Sequence, residues 1–220
     1  MKTRNTLAFV VLIGAAITLS AKAQTQMIAE MKTAEHEIPM LVDVFKLSPG
    51  MTVADVGAGN GAMTIVLAKW IGPSGRVFAT DIGAKQLQTI RAAVDEAGLK
   101  NVTVLEGAAA ATNLPPACCD AIFMRDVYHH ILMDSTAAFD KSLMESLKPG
   151  GRLAIIDFQP RPNSRVPEGV NPNRVGHGIT AAIVREEISA VGLKTVQTIN
   201  TWPPDSTDKQ PFFLVLFQKP

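Results

Sequence analysis

Cysteine is almost missing from this 220-residue chain: there are two, Cys118 and Cys119, and they are neighbours. That excludes a disulfide framework, which needs several separated pairs. It also excludes a cysteine-built zinc site, which needs four ligands at finger-like spacing. No metal-ligand set is read from the rest of the chain. The pair is expected to be two free, small apolar residues entering a strand. An excess of one charge is missing too. Lys and Arg number 21 against 20 Asp and Glu, with no basic run, so the chain has no footprint for nucleic acid or an anionic membrane. A long hydrophobic run is also absent. The apolar stretch Leu7 to Leu19 has 13 residues, where a bilayer span takes about 20.

That short stretch has a different meaning. Lys2 and Arg4 precede it, and Ala21-Lys22-Ala23 follows it with small residues at the two positions a signal peptidase reads. Residues 1–23 are expected to be a secretory signal peptide, and the mature chain periplasmic or secreted. Cleavage would remove three basic residues and no acidic one, leaving a weakly acidic chain with no stable membrane span. Residues 24–220 then read as one domain opening with a helical segment, 24–47. Within it, Gln26 to Phe45 is expected to form helix in two pieces joined at Pro39, since proline cannot continue the hydrogen bonding of the preceding turn.

What the chain does have is an alternation of apolar runs and helical periodicity. Val53-Ala-Asp-Val-Gly-Ala-Gly-Asn-Gly61 is a buried strand followed by three glycines at alternate positions, and then an apolar helical pattern. Strand, glycine turn and helix open a nucleotide-binding α/β unit. Glycine lets the backbone turn sharply and lets a ligand lie on main chain, while the helix start offers free N–H donors. Further strands are expected at 76–81, 102–106, 120–124, 152–158, 194–200 and 212–218. Helices are expected at 84–97, across Phe139, Leu143 and Leu147, and at 180–191, with a short one at 128–132. Strands alternating with helices imply a parallel sheet covered on both faces. The last two strands have no helix between them and should form a hairpin. Gln159 to Gly178 is irregular and too long for a neutral connector, so it reads as a binding loop.

The glycine stretch, with Asp55 before the strand end and Asp81 at the end of the next strand, resembles motif I and its surroundings in the class I S-adenosylmethionine-dependent methyltransferases. Four further features, within 48–192, are similar. Asp81-Ile82 stands where the family has an acidic residue for the ribose hydroxyls and a residue packing on adenine. Glu106-Gly107-Ala108 follows the third strand, but family members often carry Asp where Ala108 stands, to hold the adenine amino group. Arg125-Asp126-Val127-Tyr128-His129-His130 follows the fourth strand, beside the point where strand order reverses. Leu147-Lys-Pro-Gly-Gly-Arg-Leu153 resembles the turn into strand five.

The resemblance implies a Rossmann-like doubly wound sheet of seven strands in the order 3-2-1-4-5-7-6, with strand seven antiparallel. It implies S-adenosylmethionine as cofactor, bound by Asp55, Gly57, Gly59, Gly61, Asp81, Ile82, Gly107, Ala108, Arg125 and Asp126. Tyr128, His129 and His177 are the acceptor-side, catalytic candidates, and His129 and His130 should point to different sides. The partner is a small-molecule acceptor. The family's Asn/Asp-Pro-Pro-Tyr mark of amino-nitrogen methylation is absent, as is the cysteine set of arsenite methyltransferases. Two rivals stand beside the enzyme. One is an exported, non-catalytic binder of the same cofactor, favoured by Ala108 and by the leader, since the cofactor is made in the cytosol. The other is a nicotinamide-dependent oxidoreductase, disfavoured by G-x-G-x-G in place of G-x-G-x-x-G.

Overall fold

A computed structural model describes residues 21–220. Leu7 to Leu19, the core of the expected signal peptide, lies outside them. The first described element is a helix, α1 (Ala21–Phe45), and it runs through Pro39 without a break. The two-piece expectation is therefore corrected. Pro39 removes one donor from the ladder, but the flanking turns stay helical because Ile38, Leu41, Val42 and Phe45 all bury themselves against the sheet.

The sheet is built from β1 (Thr52–Val56), β2 (Arg76–Asp81), β3 (Val102–Glu106), β4 (Cys119–Arg125), β5 (Leu147–Phe158), β6 (Lys194–Trp202) and β7 (Phe212–Gln218). Its order is β3-β2-β1-β4-β5-β7-β6. The first five strands pair in parallel, and β7 runs antiparallel between β5 and β6. The expected topology is thus observed. The helices α2 (Ala62–Ile71), α3 (Ala84–Glu96), α4 (Thr136–Ser146) and α5 (Ala181–Ala190) supply the covering layers. Thr180 caps α5 by accepting from Ile183 N–H.

Alternation along the strands divides the core. On β7, Phe213, Val215 and Phe217 face a cluster with Phe139 and Leu143 of α4 and Val184 and Ile188 of α5. Leu214 and Leu216 face the other cluster, with Ile38 and Leu41 of α1 and Leu67 and Ile71 of α2. Helix α3 docks Ile90 and Val94 on Ala79 of β2. Strand β5 starts earlier than expected. Leu147 already pairs with Cys119, and the register resumes at Ala121 opposite Arg152 after the Pro149-Gly150-Gly151 excursion.

The cysteine reading is also corrected, since Cys118 and Cys119 are joined by a disulfide. Cys119 is buried at the start of β4, so the small apolar role holds for its side chain but not its free thiol. Among the described residues, no helix is long and apolar enough to cross a membrane.

Candidate active site

The parallel strands β1, β2 and β4 end on one edge, and a cavity of about 910 Å³ opens there. Its floor is the glycine turn after β1. Gly57, Gly59 and Gly61 all have positive φ, from 58° to 86°. At Gly57 a Cβ would lie 2.5 Å from Val127 Cγ2, so only glycine fits beneath that side chain. At Gly59 a Cβ would meet nothing within 4 Å, and the backbone there lies open to an incoming group. The turn is tied to β2 because Gly57 N–H and Ala58 N–H both donate to the Thr80 carbonyl, at 2.8 and 2.9 Å. Asn60 Oδ1 accepts from Ala62 N–H and caps α2 in place of the missing side chain of Gly61.

The second wall is Asp81. Its Oδ2 accepts from Gly59 N–H at 3.0 Å and its Oδ1 from Ile82 N–H at 2.8 Å. Oδ1 also accepts a longer hydrogen bond from Gly83 N–H at 3.4 Å, and Oδ2 keeps a lone-pair direction for a further donor. Ile82 is a large apolar side chain at 67% exposure beside the carboxylate. Gly107, Ala108, Ala109 and Thr112 close this end of the cavity. The amide of Ala108 is occupied, because Ala108 and Ala111 exchange both backbone hydrogen bonds.

Asp55 sits under the turn, buried, and accepts from Thr64 Oγ1–H at 2.6 Å, which fastens α2 to β1. Burial raises its pKa to about 7, the Thr64 hydrogen bond opposing and the nearby Asp81 adding to the rise. The folded chain therefore holds a proton that the unfolded chain, titrating near 3.8, releases. This contribution is fully present below about pH 4 and is lost as pH rises to about 7, at a cost of a few kcal/mol. Asp55→Asn keeps an acceptor for Thr64 and cannot ionise. It is expected to melt progressively higher relative to wild type between about pH 4 and pH 7, with a constant margin above that; a pH-independent difference across the window would refute the assignment.

Arg125, at the end of β4, lines the cavity, but its Nε and Nη2 donate to both oxygens of Glu37 at 2.7 to 3.1 Å. Glu37, on α1, is buried and also accepts from Trp202 Nε1–H. Sequence reasoning missed this anchor, although a carboxylate one residue before Ile38 on a core-facing helix was the available signal. Asp126 turns out of β4 with φ 62°, a left-handed conformation that aspartate tolerates, and lines the cavity. Burial raises its pKa, with the Asp157 charge adding to it.

The catalytic candidates do not converge as expected. Tyr128 is corrected: it is fully buried and turned away from the cavity. Its hydroxyl lies 3.0 Å from both oxygens of Asp140 and 3.1 Å from Glu187 Oε2. One phenolic proton faces two carboxylates, so Asp140 has reason to keep its own. Burial raises the Asp140 pKa to about 7, against the Tyr128 hydrogen bond. Arg174, buried, closes this network with a two-point contact to Glu187 at 2.7 and 3.0 Å.

His129 is also buried and does not line the cavity; His130 does. The expectation that the two histidines point to different sides is corrected: their rings lie 4.0 Å apart, and only His130 of the pair reaches the cavity. Asp157 is the reason. Its Oδ2 accepts from His129 N–H at 3.0 Å, and its Oδ1 lies 2.8 Å from His129 Nδ1. Asp157 is the one acidic residue in β5, which is the signal that the sequence offers. His177 does not line the cavity, but its Nε2 lies 3.1 Å from His129 Nε2. Burial lowers the pKa of both His130 and His177, and the neighbouring His129 lowers each further. The irregular loop 159–178 thus contributes Arg161 to the cavity, His177 to the histidine group and Arg174 to the core.

Known proteins give this geometry a context. A family model described as a methyltransferase domain matches residues 53–151. The chain is 29% identical over 123 residues to a protein-L-isoaspartate O-methyltransferase of Methanothrix thermoacetophila, covering 56% of this chain and 55% of that one. It is 28% identical over 163 residues to the nocamycin O-methyltransferase of Saccharothrix syringae, covering 74% and 57%. The chain therefore spans little more than half the length of these two relatives. The crystal structure of a SAM-dependent methyltransferase from Aquifex aeolicus superposes with a TM-score of 0.66 at 28% identity, covering 82% of this chain and 88% of that one. Residues 53–151 are thus similar to a methyltransferase domain, and S-adenosylmethionine (SAM) is the cofactor on which the Aquifex aeolicus protein depends.

The cavity fits that cofactor on its own terms. Its volume suits a ligand of this size, its floor is bare glycine backbone, and a carboxylate with spare acceptor capacity stands at one end.

Proposed function

We propose that the chain transfers a methyl group from S-adenosylmethionine to a small or medium-sized acceptor. The observation that carries this reading is the Gly59 N–H to Asp81 hydrogen bond, which brings the glycine turn and the acidic end of β2 to one cavity. Asp81 would receive the ribose hydroxyls, Ile82 the adenine face, and the backbone of 57–61 the methionyl part. The cofactor supplies a methyl carbon made electrophilic by its sulfonium. The protein's task is then placement of an acceptor in line with that carbon, and a correctly held pair needs little else. His130, Asp126 and Arg161 border the space available to the acceptor. A base is required only where the acceptor must lose a proton, and His130, kept neutral near pH 7, is the group placed to take it.

A second reading is a binder without turnover. It draws support from Ala108, which offers no carboxylate for the adenine amino group and whose amide is already bonded to Ala111. Incubation with methyl-labelled S-adenosylmethionine and a broad panel of hydroxyl, amine, thiol and carboxylate acceptors separates the two. Labelled product supports the enzyme, and tight cofactor binding with no product on any acceptor supports the binder.

We also propose that residues 1–23 are an export signal and that 24–220 act as one domain outside the cytoplasm. The motif Ala21-Lys22-Ala23 supports this. N-terminal sequencing of protein from its own host should begin at Gln24, and an intact Met1 would contradict it.

A further inference from the structure

Of the three histidines near the end of β4, only His130 enters the methyl-transfer reading, as a base where no ion is bound; with an ion bound it would serve as a ligand instead. The ligand nitrogens of the three all lie within 4.8 Å of one another. Two of them, His129 Nε2 and His177 Nε2, face each other at 3.1 Å. Nitrogens bound to one zinc ion at about 2.0–2.1 Å lie roughly 3.3 Å apart in a tetrahedron, so this spacing is the edge of a coordination polyhedron.

The surroundings are those of a ligand group. Asp157 Oδ1 sits 2.8 Å from His129 Nδ1, and Asp157 also accepts from His129 N–H and Phe158 N–H. A carboxylate on Nδ1 places the proton there and turns the Nε2 lone pair outward, as for metal-bound imidazoles. His177 is held by its backbone. Its N–H donates to Ser164 Oγ at 2.7 Å, and its carbonyl accepts from Arg161 N–H at 2.9 Å. The glycines on either side are required. A Cβ on Gly178 would lie 2.9 Å from the Phe158 and Gln159 carbonyls, and one on Gly176 the same distance from Ser164 Oγ. The loop is therefore packed so as to set His177 over the end of β5. His130 completes the group, with its ring 4.0 Å from that of His129 and 5.3 Å from that of His177. The charged groups acting on the cluster besides the histidines are Arg161, Asp126 and Asp157.

We propose that His129, His130 and His177 bind one divalent first-row transition ion of the Zn²⁺ type. An all-imidazole set selects zinc, copper, nickel or cobalt over magnesium or calcium. Three protein ligands leave a position open, and His130 is also a cavity residue beside Asp126, so that position faces the acceptor space. Resting on the methyltransferase reading, this makes an acceptor bearing an oxygen donor the class that the ion would hold.

The test uses the full chain without a histidine tag, stripped with a chelator. Zn²⁺ is titrated against a chromophoric chelator, and Co²⁺ is added separately for its visible spectrum. One equivalent of Zn²⁺ is expected, with four- or five-coordinate Co²⁺ bands. His177→Ala and His130→Ala should each weaken Zn²⁺ at least about tenfold, and Asp157→Asn about 10- to 100-fold. His36→Ala, remote from the cluster and paired with Asp205, should change nothing. Absence of stoichiometric Zn²⁺ binding, or binding that survives both His177→Ala and His130→Ala, overturns the proposal. S-adenosylhomocysteine titrations run alongside separate the two readings. Wild-type cofactor affinity without Zn²⁺ binding sinks the metal site and leaves the methyltransferase reading standing.

Discussion

Asp81→Ala is expected to weaken S-adenosylhomocysteine binding by about 100-fold or more, measured by calorimetry. Two ribose hydroxyls donating to one carboxylate make two charge-assisted hydrogen bonds. At about 1.5 kcal/mol each, the lower end for charged acceptors, these sum to about two decades in affinity. The loss has a second source in this chain. The same carboxylate holds Gly59 N–H and Ile82 N–H, so alanine also releases the turn on which the methionyl part would lie. Asp81→Asn keeps one acceptor oxygen and should fall between. Asp81 is only partly buried, so both variants should fold. Equal affinities in wild type and Asp81→Ala would contradict the ribose assignment.

The second large effect is on stability. Glu37→Ala leaves Arg125 without its two-point partner and Trp202 Nε1–H without an acceptor. Removing one member of a buried ion pair costs about 3–5 kcal/mol. The Arg125 side chain keeps 23% exposure, so the lower end is the appropriate figure. A loss of about 3 kcal/mol lowers Tm by roughly 6–12 °C in a domain of this size. The neighbouring pair His36–Asp205, with both side chains at least half exposed, provides the contrast. Truncating His36 should move stability by less than about 0.5 kcal/mol. If the two variants melt alike, Glu37 does not anchor α1. The consequence reaches the site, because Glu30 and Thr33 on the same helix line the cavity.

These two residues show what was and was not legible in the sequence. The place of Asp81 beside the glycine turn could be read directly. The residue ends a β-run, follows the glycine turn by a fixed interval, and acts through local backbone. The antiparallel β7 was legible from the missing helix before it, whereas the strand order is what the family resemblance implies and the element pattern alone does not fix it. Glu37 stood out only as a carboxylate on a core-facing helix; its partners lie 88 and 165 residues away, and no local pattern encodes that meeting. The same applies to Asp157 and His177, which reach His129 from a different strand and from the far end of a 20-residue irregular segment. Tyr128 was misjudged on proximity in sequence. In this three-residue turn the apolar body of tyrosine took the core side. Pro39 was read by local rule alone, and burial of the helix face on either side overrode it.

The account rests on one cavity serving both the glycine turn and Asp81. A crystal structure of the chain grown with saturating S-adenosylhomocysteine tests it most directly. The account predicts the ribose hydroxyls within hydrogen-bonding distance of the Asp81 carboxylate and the homocysteine along the backbone of Gly57 to Gly61. Ligand bound elsewhere, or no ligand in that cavity at saturation, would contradict it.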